Sequence, residues 1–234
     1  MKALITGSNR GIGLEFVRQL ITQGVHVFAA CRNPSKAGQL LKLQEDFPQQ
    51  ISIIQLDVTD DKSLADSHKL VCSKTNNLDL LINNAAISQG DQKFGTFESS
   101  KIKSVLEVNT VAPLLVAQQY SQLLKRSKGS IIVNISSGLG SLSRATNPRN
   151  PRMNIYSSSK AALNMSTIHM AHDLADHEII VVSINPGWVR TDMGGPNADI
   201  ETNKSVSGMM QVIDSLQLKD TGSFYDYTGE TIPW

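Results

Sequence analysis

The chain has 234 residues, a length that suits one alternating α/β domain over residues 1–234, with enough interior to bury its own core. Its 22 basic and 21 acidic residues leave a formal charge of +1, which offers no general field for nucleic acid or an anionic membrane. Cys31 and Cys72 have no partners at metal-ligand spacing, no apolar run nears the ~20 residues that cross a bilayer, and MKALITGSNRGIG is not a secretory signal, so a soluble cytoplasmic protein is expected.

Short apolar runs alternate with helical patterns along the chain. Ala3–Thr6 reads as a buried strand. The stretch after it carries Ile12, Phe16, Val17, Leu20 and Ile21 at helical spacing and closes at Gly24. Val25–Ala30 is the second strand, and a helix with proline in its first turn is expected from about Pro34 to Phe47. Ile51–Leu56 is the third strand, Asp60–Lys74 a helix and Leu78–Asn83 the fourth strand. One long helix fits Ile102–Ser127, followed by a fifth strand over Gly129–Ser136. Tyr156–Asp176 reads as helical, Ile179–Asn185 as the sixth strand and Phe224–Tyr227 as a short last one. Strands that are apolar at nearly every position, alternating with helices, predict an α/β fold with a doubly wound parallel sheet covered on both faces. The irregular stretches Ser88–Glu98, Ser143–Asn154 and Gly194–Lys204 all follow strand ends, where such a sheet opens its binding crevice.

TGSNRGIG, Thr6–Gly13, stands between the first strand and the first helix. Glycines there allow a tight turn and close approach of a ligand, and the helix start offers unpaired N–H groups to a pyrophosphate. The spacing is G-x-x-x-G-x-G, weak evidence alone but strengthened by its position. NAD-binding folds place a carboxylate about 20 residues on to hold the ribose hydroxyls. AACRNP occupies that place here, so Arg32, with Arg10 in the loop, suits a 2′-phosphate and NADP(H) over NAD(H). The plainer alternative is that both are surface arginines.

Further motifs follow in order: Asp57-Val58, NNAA (Asn83–Ala86), Asn109 in VNT, ISSGLG (Ile135–Gly140), Tyr156 and Lys160 as Y-x-x-x-K, and NPGWVRT (Asn185–Thr191). Together with the glycine loop they resemble the short-chain dehydrogenase/reductase family over nearly the whole chain. NPGWVRTDMGG and the ending YDYTGETIPW are similar to the subgroup of Sniffer-type carbonyl reductases and C-factor proteins. The resemblance implies a Rossmann-type domain that transfers hydride from NADPH to a small-molecule aldehyde or ketone. It implies Tyr156 as general acid/base, Lys160 as its partner, Ser137 as the group that polarises the carbonyl, and Asn109 as the holder of a relay water. For the cofactor it implies Gly7, Ser8, Asn9, Arg10, Gly11, Ile12 and Gly13 in the loop, then Arg32, Asp57, Val58, Asn83 and Ala85. Pro186, Gly187, Val189 and Thr191 join them, with Tyr156 and Lys160 at the reacting end. A homodimer through the helices at 102–127 and 156–176 is also implied. A cofactor-binding signalling protein with little turnover is the alternative function.

The residue chemistry fits these roles. A free tyrosine titrates near 10, too high for efficient acid/base work at neutrality, and a cation nearby favours its phenolate. Positions i and i+4 share one helix face, so Lys160 is expected to lower the Tyr156 pKa. Without the other motifs, YSSSK is an ordinary polar helix start, and its serines read as packing residues. His169 and His172 lack a third ligand, so no metal site is expected. SRATNPRNPRMN, with Arg144, Arg149 and Arg152, lengthens the path from Ser137 to Tyr156 and is expected to be a loop over the crevice.

Overall fold

The first strand sets the pattern of the sheet. In β1 (Lys2–Thr6), Ala3 and Ile5 join one core cluster and Leu4 the other, all three fully buried. A strand covered on both faces must be apolar at successive positions. The computed structural model describes residues 1–90, 94–147 and 153–234 and repeats this pattern across the sheet. β2 (His26–Cys31), β3 (Ile51–Gln55), β4 (Leu80–Asn83), β5 (Ile131–Ile135), β6 (Ile180–Asn185) and β7 (Phe224–Asp226) join β1 in the order β3-β2-β1-β4-β5-β6-β7. Every pairing is parallel. The winding reverses between β1 and β4, which is where a doubly wound sheet opens a crevice above its strand ends.

In chain order the helices are α1 (Gly11–Thr22), α2 (Gly38–Asp46), α3 (Asp61–Lys74) and α4 (Ser99–Leu106), then α5 (Ala112–Leu124), α6 (Leu142–Ala145), α7 (Asn154–Asp173) and α8 (Thr202–Ser215). One core packs α1, α2 and α8 on the sheet through Phe16, Leu20, Leu40 and Met209. The other packs α3, α5 and α7 through Leu64, Val116, Tyr120 and Met170. Each fully buried side chain of this size contributes about 1.5–3 kcal/mol of hydrophobic free energy.

Four elements differ from expectation. Pro34–Lys36 is a 3₁₀ turn and α2 starts only at Gly38, so proline opens a turn rather than the helix. The helix at Tyr156 starts two residues earlier, at Asn154, and gives way after Asp173 to a 3₁₀ turn at Ala175–His177. The long helix expected at 102–127 is two α-helices joined by a π turn, Glu107–Val111. The widened bond runs from the Ala112 N–H to the Glu107 carbonyl, and just beyond it Pro113, which has no N–H, leaves the Asn109 carbonyl without its α-helical donor. Finally, α8 occupies a region with no helix expected, and its buried Val206, Met209, Met210 and Ile213 form an ordinary helical stripe.

Candidate active site

A cleft of about 730 Å³ lies above the carboxyl ends of the strands. Its floor at one end is the β1–α1 loop. Gly7 (φ +66°) and Gly11 (φ +53°) take left-handed backbone that favours glycine. A Cβ on Gly13 would collide with the Gly7 carbonyl and the Asn84 amide. The loop feeds α1, whose N-cap residue Arg10 makes no side-chain cap, so the first N–H groups of the helix remain suited to an anion.

Most residues expected at a cofactor line this cleft: Gly7, Asn9, Arg10, Gly11, Ile12, Gly13, Arg32, Asp57, Val58, Ala85, Pro186, Gly187, Val189 and Thr191. Asp57 is already half committed, because its Oδ1 accepts from the Thr59 N–H at 3.1 Å and hydroxyl at 2.8 Å. Arg10 pairs with Asp192 at 2.5 Å across the mouth, and both partners are exposed. Such a pair is weak in water and yields readily to a phosphate.

Three expected site residues commit their side chains away from the cleft. The Ser8 side chain is fully buried and donates to the Ala30 carbonyl at 2.8 Å, so it ties β1 to β2. Asn83 also points away from the cleft: its amide donates to Asn134 Oδ1 at 2.9 Å and to the Pro113 carbonyl at 3.3 Å. Asn84 takes the neighbouring place on the cleft wall. The buried Asn109 side chain accepts from the Ile87 N–H at 2.8 Å and donates to the Ile87 carbonyl at 2.9 Å and to Ser159 Oγ at 3.0 Å. Both amide hydrogens are therefore used in holding the segment after β4 against α7, which favours its main-chain carbonyl as the holder of a relay water.

At the other end of the cleft β5 and α7 bring Ser137, Tyr156 and Lys160 together. Ser137 acts on the Tyr156 hydroxyl in the direction that favours the phenolate, and its own Oγ accepts from the Leu139 N–H at 3.2 Å. Its neighbour Ser136 also borders the cleft, but it is buried and its hydroxyl is committed to Asn164 Oδ1 at 2.6 Å. Lys160 Nζ sits 5.7 Å from the Tyr156 ring centroid and donates to the Ile135 carbonyl at 2.7 Å. Close packing makes this possible, since a Cβ on Gly140 would lie 2.8 Å from the Lys160 carbonyl carbon.

The electrostatics oppose the expected sign. Burial pushes the Tyr156 phenol up to about 12, against the lowering effect of Ser137. Burial also pushes the Lys160 ammonium down to about 7. Lys160 is 2% exposed, so its shift stands on nearly complete desolvation. Tyr156 keeps part of its surface toward the cleft, and water there offsets part of its upward push.

Other contributors escape motif reading. Ser159, expected only to pack, is the buried link between Asn109 and α7, and its hydroxyl also donates to the Tyr156 carbonyl at 2.7 Å. Asn185 bridges Gly138 and Asp226 at the end of β6. Leu139, Met153, Trp188 and Met193 give the reacting end an apolar wall, and Trp188 Nε1 is fixed on the Gly194 carbonyl at 2.8 Å. The expected crevice loop contributes α6 and Arg144 to the wall, while Arg149 and Arg152 lie outside the described residues.

Comparison with known proteins bears on the family and the fold. The family model described as short chain dehydrogenase matches residues 1–201. An NADPH-bound carbonyl reductase from chicken fatty liver is 36% identical with a TM-score of 0.94, covering 100% of this chain and 98% of that one. The carbonyl reductase Sniffer of D. melanogaster is 32% identical with a TM-score of 0.94, covering 100% and 99%. The C-signal protein of Myxococcus xanthus is 36% identical over 68% of this chain and 95% of its own length.

Proposed function

The chain belongs to the short-chain dehydrogenase family, and from that premise we propose that it is an NADPH-dependent carbonyl reductase of small to medium aldehydes and ketones. One observation carries this reading. Ser137, Tyr156 and Lys160 converge at one end of a cleft whose other end holds a glycine loop, an uncapped helix start and two arginines.

The residues fit the cofactor. The N–H groups at the start of α1 suit a pyrophosphate, and Arg32 and Arg10 suit a 2′-phosphate where an NAD-binding fold would carry a carboxylate. When bound, NADPH supplies a hydride to the carbonyl carbon. Ser137 Oγ donates to the carbonyl oxygen and stabilises the negative charge that grows there, an effect worth about 3 kcal/mol for one preorganised donor. Tyr156 gives its phenolic proton to that oxygen, leaving alcohol and phenolate. Lys160 Nζ, on the same face of α7, orients the group and helps return the proton from solvent. The apolar wall of Leu139, Met153, Trp188 and Met193 excludes water and accepts the substrate's carbon skeleton. A homodimer is proposed with it, through α5 and α7, where Val111 just before α5 and Met165 on α7 expose apolar surface.

The test is NADPH oxidation with a panel of aldehydes, diketones and quinones. Tyr156→Phe is expected to lower kcat at least ~100-fold, the usual scale of a general acid. Equal rates in variant and parent would remove Tyr156 from the chemistry.

A further inference from the structure

Asp226 ends β7 at the sheet edge, far in sequence from the reacting groups, yet both of its oxygens are committed. Oδ1 accepts from the Thr228 N–H at 3.2 Å and from its hydroxyl at 3.1 Å. Oδ2 accepts from Asn185 Nδ2 at 2.7 Å. A carboxylate only accepts, so it obliges the Asn185 amide to turn its NH₂ toward Asp226 and its oxygen the other way. There Asn185 Oδ1 accepts from the Gly138 N–H at 2.9 Å. That N–H belongs to the peptide joining Ser137 to Gly138, so its direction sets how Ser137 enters the cleft.

The surroundings leave this peptide little slack. Asn185 is 8% exposed. A Cβ on Gly138 would lie 3.1 Å from Arg144 Nη1 and 3.7 Å from the Asn185 amide. The turn carrying Asp226 is docked by main chain as well, the Tyr227 N–H donating to the Asn185 carbonyl at 2.9 Å. Beyond it the chain returns to the same region. Ser141 Oγ donates to the Pro233 carbonyl at 2.5 Å, the Ser143 N–H and hydroxyl donate to the Trp234 carbonyl at 3.0 and 2.7 Å, and Trp234 stacks on Phe224 at 5.3 Å. The stretch from Phe224 to Trp234 thus holds the segment after β5 on both sides of Gly140.

We infer that Asp226 is a positioning residue for Ser137, acting through the orientation it imposes on Asn185 and the Ser137–Gly138 peptide. The inference rests on the carbonyl-polarising role proposed for Ser137. Asp226→Asn keeps the shape but frees the amide pair to flip, which turns an NH₂ toward the Gly138 N–H. The expected result is a loss of kcat of about tenfold, the scale of one misaligned hydrogen bond, with KM for NADPH within about twofold.

A double-mutant cycle with Ser137→Ala separates positioning from general loosening of the fold. If Asp226 acts through Ser137, the Asn substitution costs little further kcat once the serine is gone. Asn185→Ser, which removes the link at its centre, is expected to show the same non-additivity and serves if Asp226→Asn does not fold. Multiplicative losses, or an Asp226→Asn enzyme with parental kcat, would overturn the inference. A parental kcat in Ser137→Ala alone would instead overturn the role of the serine on which it rests.

Discussion

Lys160 carries a stability penalty that pH can read. Its side chain is almost fully buried, and burial pushes its ammonium from 10.5 down to about 7. Between those values the unfolded chain binds a proton that the folded chain does not. Stability therefore rises as pH climbs from about 7 toward 10.5, and is lost as pH falls through the folded value. One pH unit of full difference is about 1.4 kcal/mol, and half protonation near pH 7 trims the first unit, so pH 7 to 9 is worth about 2 kcal/mol. Lys160→Met fills a similar volume and carries no titratable group. Urea unfolding of the nucleotide-free protein at pH 7, 8 and 9 gives the difference profile. The variant's advantage over the parent is expected to shrink by about 2 kcal/mol across that range, or about 4–8 °C in Tm. To first order, Tyr156 and the buried thiol of Cys31 are common to both proteins and drop out of the difference. Parallel profiles would show that Lys160 keeps its ordinary pKa and that the burial argument fails.

Other consequences are open to direct measurement. Arg32→Ala is expected to raise KM for NADPH at least about tenfold while leaving that for NADH within about threefold, since only the former presents a phosphate to the guanidinium. Equal effects on both cofactors would refute the 2′-phosphate reading. Gly140→Ala places a methyl 2.8 Å from the Lys160 main chain. Pushing α7 off β5 is expected to cost about 1–3 kcal/mol, and calorimetry with a parental Tm would contradict it. Light scattering is expected to give twice the chain mass for the parent and a monomer for Met165→Glu, and a monomeric parent would remove the proposed α5–α7 interface.

The sheet was legible because its chemistry is local. Apolar runs such as LLIN at β4 can be satisfied only between two helical layers, and the glycines of TGSNRGIG mark the turn above β1. The break at Asn109 was half visible. Pro113 announces a lost hydrogen bond, but whether the helix kinks, ends or widens depends on what packs around it. For α8 the stripe Val206, Met209, Met210 and Ile213 was present but masked by the irregular stretch before it. The inward turn of the Asn83 side chain had an available signal. Asn83 alternates with Ile82 and shares the face of Leu81, the face covered by α5, whereas a cofactor lies above the strand ends. Asp226 had no local signature, because its importance comes from Asn185, brought to it by the pairing of β6 with β7.

The Tyr156–Lys160 pair marks the limit of spacing as a guide to chemistry. Four residues on a helix bring two heads to one face, which is geometry and transfers from sequence. The sign of a pKa shift depends on the medium, which sequence spacing does not contain. Here the same desolvation acts on both groups, raising the phenol and weakening the ammonium meant to lower it. A cation whose own charge is disfavoured is a poor source of field, and within this chain the influence that opposes the upward push on Tyr156 comes from Ser137. In the proposed mechanism Ser137 has one O–H to give, to the substrate carbonyl or to the phenolate, so its direction matters to both. That dependence is what the inferred role of the Asp226–Asn185–Gly138 chain would act on: a carboxylate at the sheet edge is linked through Asn185 to the peptide that carries Ser137.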